Sequence, residues 1–175
     1  MKFVLFSMRN FERDGGGSIR MYGILNALAK KGHEVYFISN AKNLTKFHPS
    51  IKHVNIGYEF HDKRKFQGLL GILPAGIVYA LYPKLFNKIE EAIQKVDLHN
   101  SRLIFCEYLD NSIGYVLKKK NKIHTYINDQ HGIATIEFRY QRDNSKNLLS
   151  RIFFHLKYKL SDFLDEKVFG YADVS

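Results

Sequence analysis

The chain opens on an uninterrupted apolar run, "KFVLFS" (2–7), closed by a glycine-rich turn. A short run without polar alternation predicts a strand buried on both faces. From Ser18 the apolar positions are Ile19, Tyr22, Leu25, Leu28 and Ala29, the 3.6-residue period of an amphipathic helix. Ser18 is placed to cap its start, Lys30 and Lys31 suit its negative end, and Gly32 supplies a left-handed stop. "HEVYFIS" (33–39) predicts a second strand and "IKHVNIGY" (51–58) a third. "RLIFCEY" (102–108) and "IHTYIND" (123–129) predict two more, with a helix over 111–120 between them. Apolar residues at 148, 149, 152, 153, 156, 160, 163, 164 and 168 predict a long, basic, amphipathic helix, read as a packing element with a charged outer face in preference to a membrane anchor. "YADVS" (171–175) reads as the start of one more strand. Strands alternating with helices give an α/β class: a Rossmann-like parallel sheet flanked by helices.

Composition narrows the partners. The 175 residues suit a single domain, and 45% hydrophobic content is enough for a core. A formal net charge of +10 asks for an anionic partner: nucleic acid, a membrane surface or a phosphate-bearing small molecule. No recognition-helix, RNP or zinc pattern accompanies the charge, so nucleic acid is not expected. "KKKNK" (118–122) reads as the solvated end of a helix. The single cysteine, Cys106, excludes an intrachain disulfide and reads as a buried structural thiol in a reducing compartment. The opening run is shorter than the ~7–15 apolar residues of a secretory signal, which makes the cytoplasm the expected location.

"FQGLLGILPAGIVYALYP" (66–83) is uncharged and approaches the ~18–20 residues of a membrane span. Pro74, the glycines and Gln67 argue for part core and part loop. The preceding "DKRK" (62–65) adds weight to a second reading, peripheral contact with an anionic membrane or a lipid acceptor.

The run Gly15, Gly16 and Gly17 stands where the first strand turns into the first helix, at the sheet edge where ligands bind. Glycines there let a ligand approach the backbone, and the helix amides favour an anion. The plain alternative is a tight flexible turn with no ligand. Arg9, Arg13 and Arg20 add positive charge, though each alone reads as a solvated surface arginine. A dinucleotide fingerprint would need a glycine where Arg20 stands and an acid where Asn40 ends the second strand. The Walker pattern is also absent, so NAD and ordinary NTP hydrolysis are disfavoured. Asp129 and His131 follow an apolar strand, and histidine is the side chain most easily tuned near neutrality. The plain alternative is a His131 that bonds a loop carbonyl. Glu107 and Asp110 either line an acceptor cleft or are ordinary exposed acids. No histidine cluster or Asp-x-Asp has metal-ligand spacing.

"GGGSIRMYGILNALAKKGHEVYFIS" (15–39) resembles the opening of glycosyltransferase family 4, of the GT-B fold. "YINDQHG" (126–132) is similar to that family's Asp-x-His-Gly stretch, and "YADVS" to its Ala-Asp…Ser lead into a second domain. The resemblance implies residues 1–175 as an N-terminal, acceptor-side Rossmann-like domain, with the C-terminal donor-binding domain and its glutamates missing. It implies retaining sugar transfer from a nucleotide-sugar, as co-substrate, to a glycan or lipid-linked acceptor in cell-surface polysaccharide synthesis. No metal or other cofactor is implied. Gly16, Gly17, Ser18 and Arg20 would meet the donor diphosphate or the acceptor, and His131, with Asp129 beside it, the reacting sugar. Alone, the domain is not expected to catalyse transfer. Two other classes compete: a non-catalytic docking module that recruits a catalytic chain, and an anion-binding regulatory domain.

Overall fold

The computed structural model describes residues 1–8, 15–58, 82–98, 100–105, 108–129 and 133–173. Strands β1 (Lys2–Ser7), β2 (Glu34–Ser39), β3 (Lys52–Asn55), β4 (Ser101–Phe105) and β5 (Ile127–Asn128) form one sheet in the order β3-β2-β1-β4-β5. Every pairing is parallel, and Phe6 sits opposite Ile38 on one side and Phe105 on the other. This is the Rossmann-like α/β class that the alternation predicts.

Both faces of the sheet are covered, which is why its strands carry almost no polar alternation. Val4, Phe6, Leu103 and Phe105 face helices α2 (Pro83–Gln94) and α3 (Tyr108–Lys119), and meet Phe86, Ile89 and Val116. Leu5, Phe37 and Ile104 face the other way, against Met21, Leu25 and Ala29 of α1 (Gly16–Lys30). Helix α3 lies so close that a Cβ on Gly114 would come within 3.0 Å of the Phe105 ring.

Helix α1 begins three residues before its expected start. Gly15, in extended conformation, is the N-cap, so Ser18 lies buried in the first turn instead of capping it. The buried face turns with that shift: Met21 enters the core and Ile19 is 61% exposed. The other end is as expected. Gly32 has φ 77°, Gly32 N–H donates to Ala29 O at 2.9 Å, and His33 N–H donates to Leu28 O at 3.2 Å, a Schellman stop.

Beyond β5, α4 (Ala134–Asp143) and α5 (Leu148–Tyr171) form an antiparallel hairpin. Asn147 caps α5 by accepting from Leu149 N–H at 2.8 Å. Two expectations are corrected here. The described part of 171–175 is not a strand: the helix runs on to Tyr171 and Asp173 then docks on Tyr126, while 174 and 175 lie outside the described residues. The long helix exposes charged residues, Arg151, Lys159, Asp162 and Glu166, but its apolar stripe is exposed too and is not packed inward. The reason is that, among the described residues, α5 meets the body through its last turns. Tyr171 packs edge-on against Tyr115, and Val168 O accepts from the Tyr126 hydroxyl at 3.0 Å. The apolar stretch 66–83 is described only at Tyr82 and Pro83, where α2 begins, and Cys106 lies outside the described residues.

Candidate functional site at the carboxyl edge of the sheet

Chain direction reverses between β1 and β4: the chain leaves β1 towards β2 and β3, then returns to β4 and β5. In open parallel sheets such a switch point leaves a crevice outside the carboxyl ends of the strands, and ligands bind there. Described residues from three chain regions converge on it. Helix α1 starts there with no acid in its first turn and no side chain capping it. Among the described residues nothing lies within 4 Å of a Cβ placed on Gly16, which leaves room for a ligand near the amide end of the helix.

Arg20 lies one turn along α1 and forms a two-pronged ion pair with Asp129, just past β5. One prong, Arg20 Nε–H to Asp129 Oδ2, measures 3.2 Å. The pair joins residues from opposite sides of the switch and leaves both side chains partly open to solvent. Asp129 is fixed from behind, since its N–H donates to Phe105 O at 2.9 Å. The fork geometry of a guanidinium suits a carboxylate or a phosphate equally, so an arriving phosphate can share Arg20 with Asp129.

Asp110, at the start of α3, is buried and accepts from the Met8 N–H at 3.0 Å. Its carboxylate ties the end of β1 to α3, so it braces the crevice and does not form an exposed wall. Asn111 follows it, only 1% exposed, and neither its amide oxygen nor its nitrogen has a hydrogen-bond partner. A buried amide without partners is costly, and Asn111 is one polar group here that the sequence reading missed, as is buried Asn128 at the end of β5.

Gly16, Gly17, Ser18, Arg20, Asp110 and Asp129 are thus placed around one edge; Glu107, His131, Arg9 and Arg13 lie outside the described residues. A cavity of about 610 Å³ opens at the opposite, amino edge, lined by Met1, Arg102, His124 and neighbours. It is far from the switch point and gathers no comparable set of groups. On the outer strands, Ser39 Oγ accepts from Ala41 N–H at 3.1 Å and lies 3.0 Å from His53 Nε2. Burial pushes the His53 imidazole below its ordinary pKa, which favours the neutral ring.

No family profile matches the chain, and no curated protein does. Solved structures do. Sucrose-phosphate synthase from Thermosynechococcus elongatus superposes with a TM-score of 0.63 at 12% identity, over 99% of this chain and 41% of its own. Apo UGT2 of Phytolacca americana superposes with a TM-score of 0.56 at 9% identity, over 99% of this chain and 44% of its own. At such identities the likeness is one of fold, that of GT-B glycosyltransferases, and the chain spans less than half the length of either neighbour. Among the described residues no helix is long and apolar enough to cross a membrane.

Proposed function

We propose that this chain is the acceptor-side half of a retaining glycosyltransferase. It moves a sugar from a nucleotide-sugar to a glycan or lipid-linked acceptor of cell-surface polysaccharide, at the inner face of the membrane. The family 4 motifs give the reading its detail. The observation that carries it is the open glycine end of α1 beside the Arg20–Asp129 pair at the β1/β4 switch.

In this reading the positive end of α1 and Arg20 stabilise charge that develops on the departing diphosphate. The bond from the anomeric carbon to the diphosphate oxygen breaks, the acceptor oxygen bonds that carbon on the same face, and the acceptor's hydroxyl proton passes to the departing diphosphate oxygen. Asp129 holds Arg20 in position, and the Asp-x-His-Gly motif assigns the reacting sugar to His131, two residues on. A donor-binding half supplies the base-reading groups and the glutamates, and no metal takes part.

The test is turnover of a panel of UDP-, GDP- and dTDP-sugars by the full natural protein. Arg20→Gln and Asp129→Asn should each lower turnover ~100-fold or more, the scale of removing one preorganised charge-stabilising group. Wild-type turnover in Asp129→Asn, or no binding of any sugar nucleotide, would sink the proposal. A docking module is the second reading, favoured by the uncovered apolar side of α5. It predicts sugar-nucleotide indifference together with stable partner binding.

A further inference from the structure

The hairpin of α4 and α5 is built unlike the rest of the molecule. From Ile133 to Leu160 no described residue is buried. Leu148, Leu149, Ile152, Phe153, Leu156 and Phe163 are all exposed, with Leu149 at 75%. At 100° per residue these six fall within one stripe ~140° wide. The buried positions Ser161, Asp165 and Val168 lie on the opposite side of the helix. The stripe therefore points away from the sheet, and its Leu148–Ile152–Leu156 edge borders a groove of about 390 Å³ shared with Arg142 and Asp143 at the end of α4.

Charge identifies what covers it. Between residues 139 and 163, Arg139, Arg142, Lys146, Arg151, Lys157 and Lys159 stand against two acids, Asp162 and Asp143, the latter already paired by Arg142 at 2.7 Å. Arg151 and Lys157 flank the stripe and Lys159 lies within it. Lys157 Nζ lies 4.4 Å from the Phe138 ring centroid and 5.3 Å from that of Phe153, so its ammonium sits over two rings beside the apolar surface. Tyr140, 69% exposed, is the amphipathic ring type that settles at headgroup depth. An apolar stripe bordered by Lys and Arg is the surface that lies in the plane of an anionic leaflet. A second copy of this chain would bring the same positive charge and be repelled.

We propose that the α4–α5 hairpin is a membrane-docking element that lays its Leu148–Phe163 stripe into an anionic bilayer surface. The proposal places the contact on a different segment from the apolar stretch at 66–83, and it stands whether or not the catalytic reading holds.

The experiment is sedimentation of the full natural protein with vesicles of phosphatidylcholine, with and without phosphatidylglycerol. Wild type should bind the anionic vesicles and lose them as salt rises. The triple variant Lys146→Glu, Arg151→Glu, Lys159→Glu should weaken partition at least ~100-fold. Leu149→Asp with Ile152→Asp, at positions that carry no core packing, should weaken it at least ~10-fold while the melting curve is kept. Unchanged partition in both variants would overturn the location. No vesicle binding by wild type would overturn the proposal outright. Self-association in place of vesicle binding, abolished by the Asp pair, would assign the stripe to a second copy and equally overturn it.

Discussion

The sheet body and the α4–α5 hairpin are made from similar residues put to opposite use. In the body, aromatic and branched side chains meet across both faces of the strands, and Phe6, Phe37, Phe86 and Phe105 are fully buried. In the hairpin, Phe153 and Phe163 face outward with leucines beside them. Apolar content alone therefore does not mark the core. What separates the two regions is whether a second layer stands opposite, and for the outer side of α5 none of the described residues does.

The largest effect that sharpens the contrast comes from truncating a phenylalanine in each region. Phe105→Ala should cost ~3–5 kcal/mol in denaturant unfolding, because it empties a site packed by Phe6, Tyr126 and Gly114. Phe153→Ala should stay within ~1 kcal/mol, as exposed substitutions do. Equal costs would break the comparison. Next is the joint between the regions, where the Thr135 hydroxyl donates to Asp165 Oδ2 at 2.6 Å. Asp165→Ala should lower stability by ~1–3 kcal/mol and loosen the hairpin selectively, seen as faster amide exchange in α4 with the sheet unchanged.

Gly32→Ala comes third, at ~1 kcal/mol, since φ 77° suits glycine and no neighbour crowds the site. The smallest effect is on pH dependence. Burial lowers the His53 pKa below its ordinary 6.5, so the unfolded chain takes up a proton there more readily than the folded one. Stability is full above pH ~6.5 and falls as pH drops through the lower folded value. Burial pushes the Asp173 carboxyl up, but hydrogen bonds from Lys118 and the Tyr126 N–H outweigh it and hold it below the ordinary 3.8. Its contribution is present above pH ~3.8 and is lost on further acidification. Thermal melts from neutral pH downward should show the His53 step first. His53→Gln should remove that step and leave the more acidic one.

How much of this the sequence carried follows from how local each feature is. The β1–α1–β2 unit rests on short-range pattern: an apolar run, a helical period, and a glycine at the left-handed stop. Even there the start of α1 slipped, because an extended Gly15 caps with its backbone and no side chain announces it. Helix α2 was readable in principle, with Pro83 at its first turn and Leu85, Phe86, Ile89 and Ile93 on one side. Helix α4 was not, since none of its described residues is buried and no core stripe exists to read. The period of α5 was plain, but period says only that a face is apolar. Which way that face points depends on the neighbours. Likewise Asp129 was legible as a polar group after a strand, whereas its partner Arg20 lies 109 residues away and no spacing pairs them. Asp110 carried a site expectation, but its bond to the Met8 backbone exists only once β1 and β4 stand side by side.

The central claim is a division of labour, with chemistry at the carboxyl edge and docking on the hairpin. It is tested most directly by measuring sugar-nucleotide turnover and anionic-vesicle partition on the same two variants of the full natural protein, Asp129→Asn and the Leu149→Asp, Ile152→Asp pair. The account predicts a double dissociation: Asp129→Asn loses turnover and keeps partition, and the hairpin variant keeps turnover and loses partition. Two folded variants that lose both properties together, or neither, would contradict it.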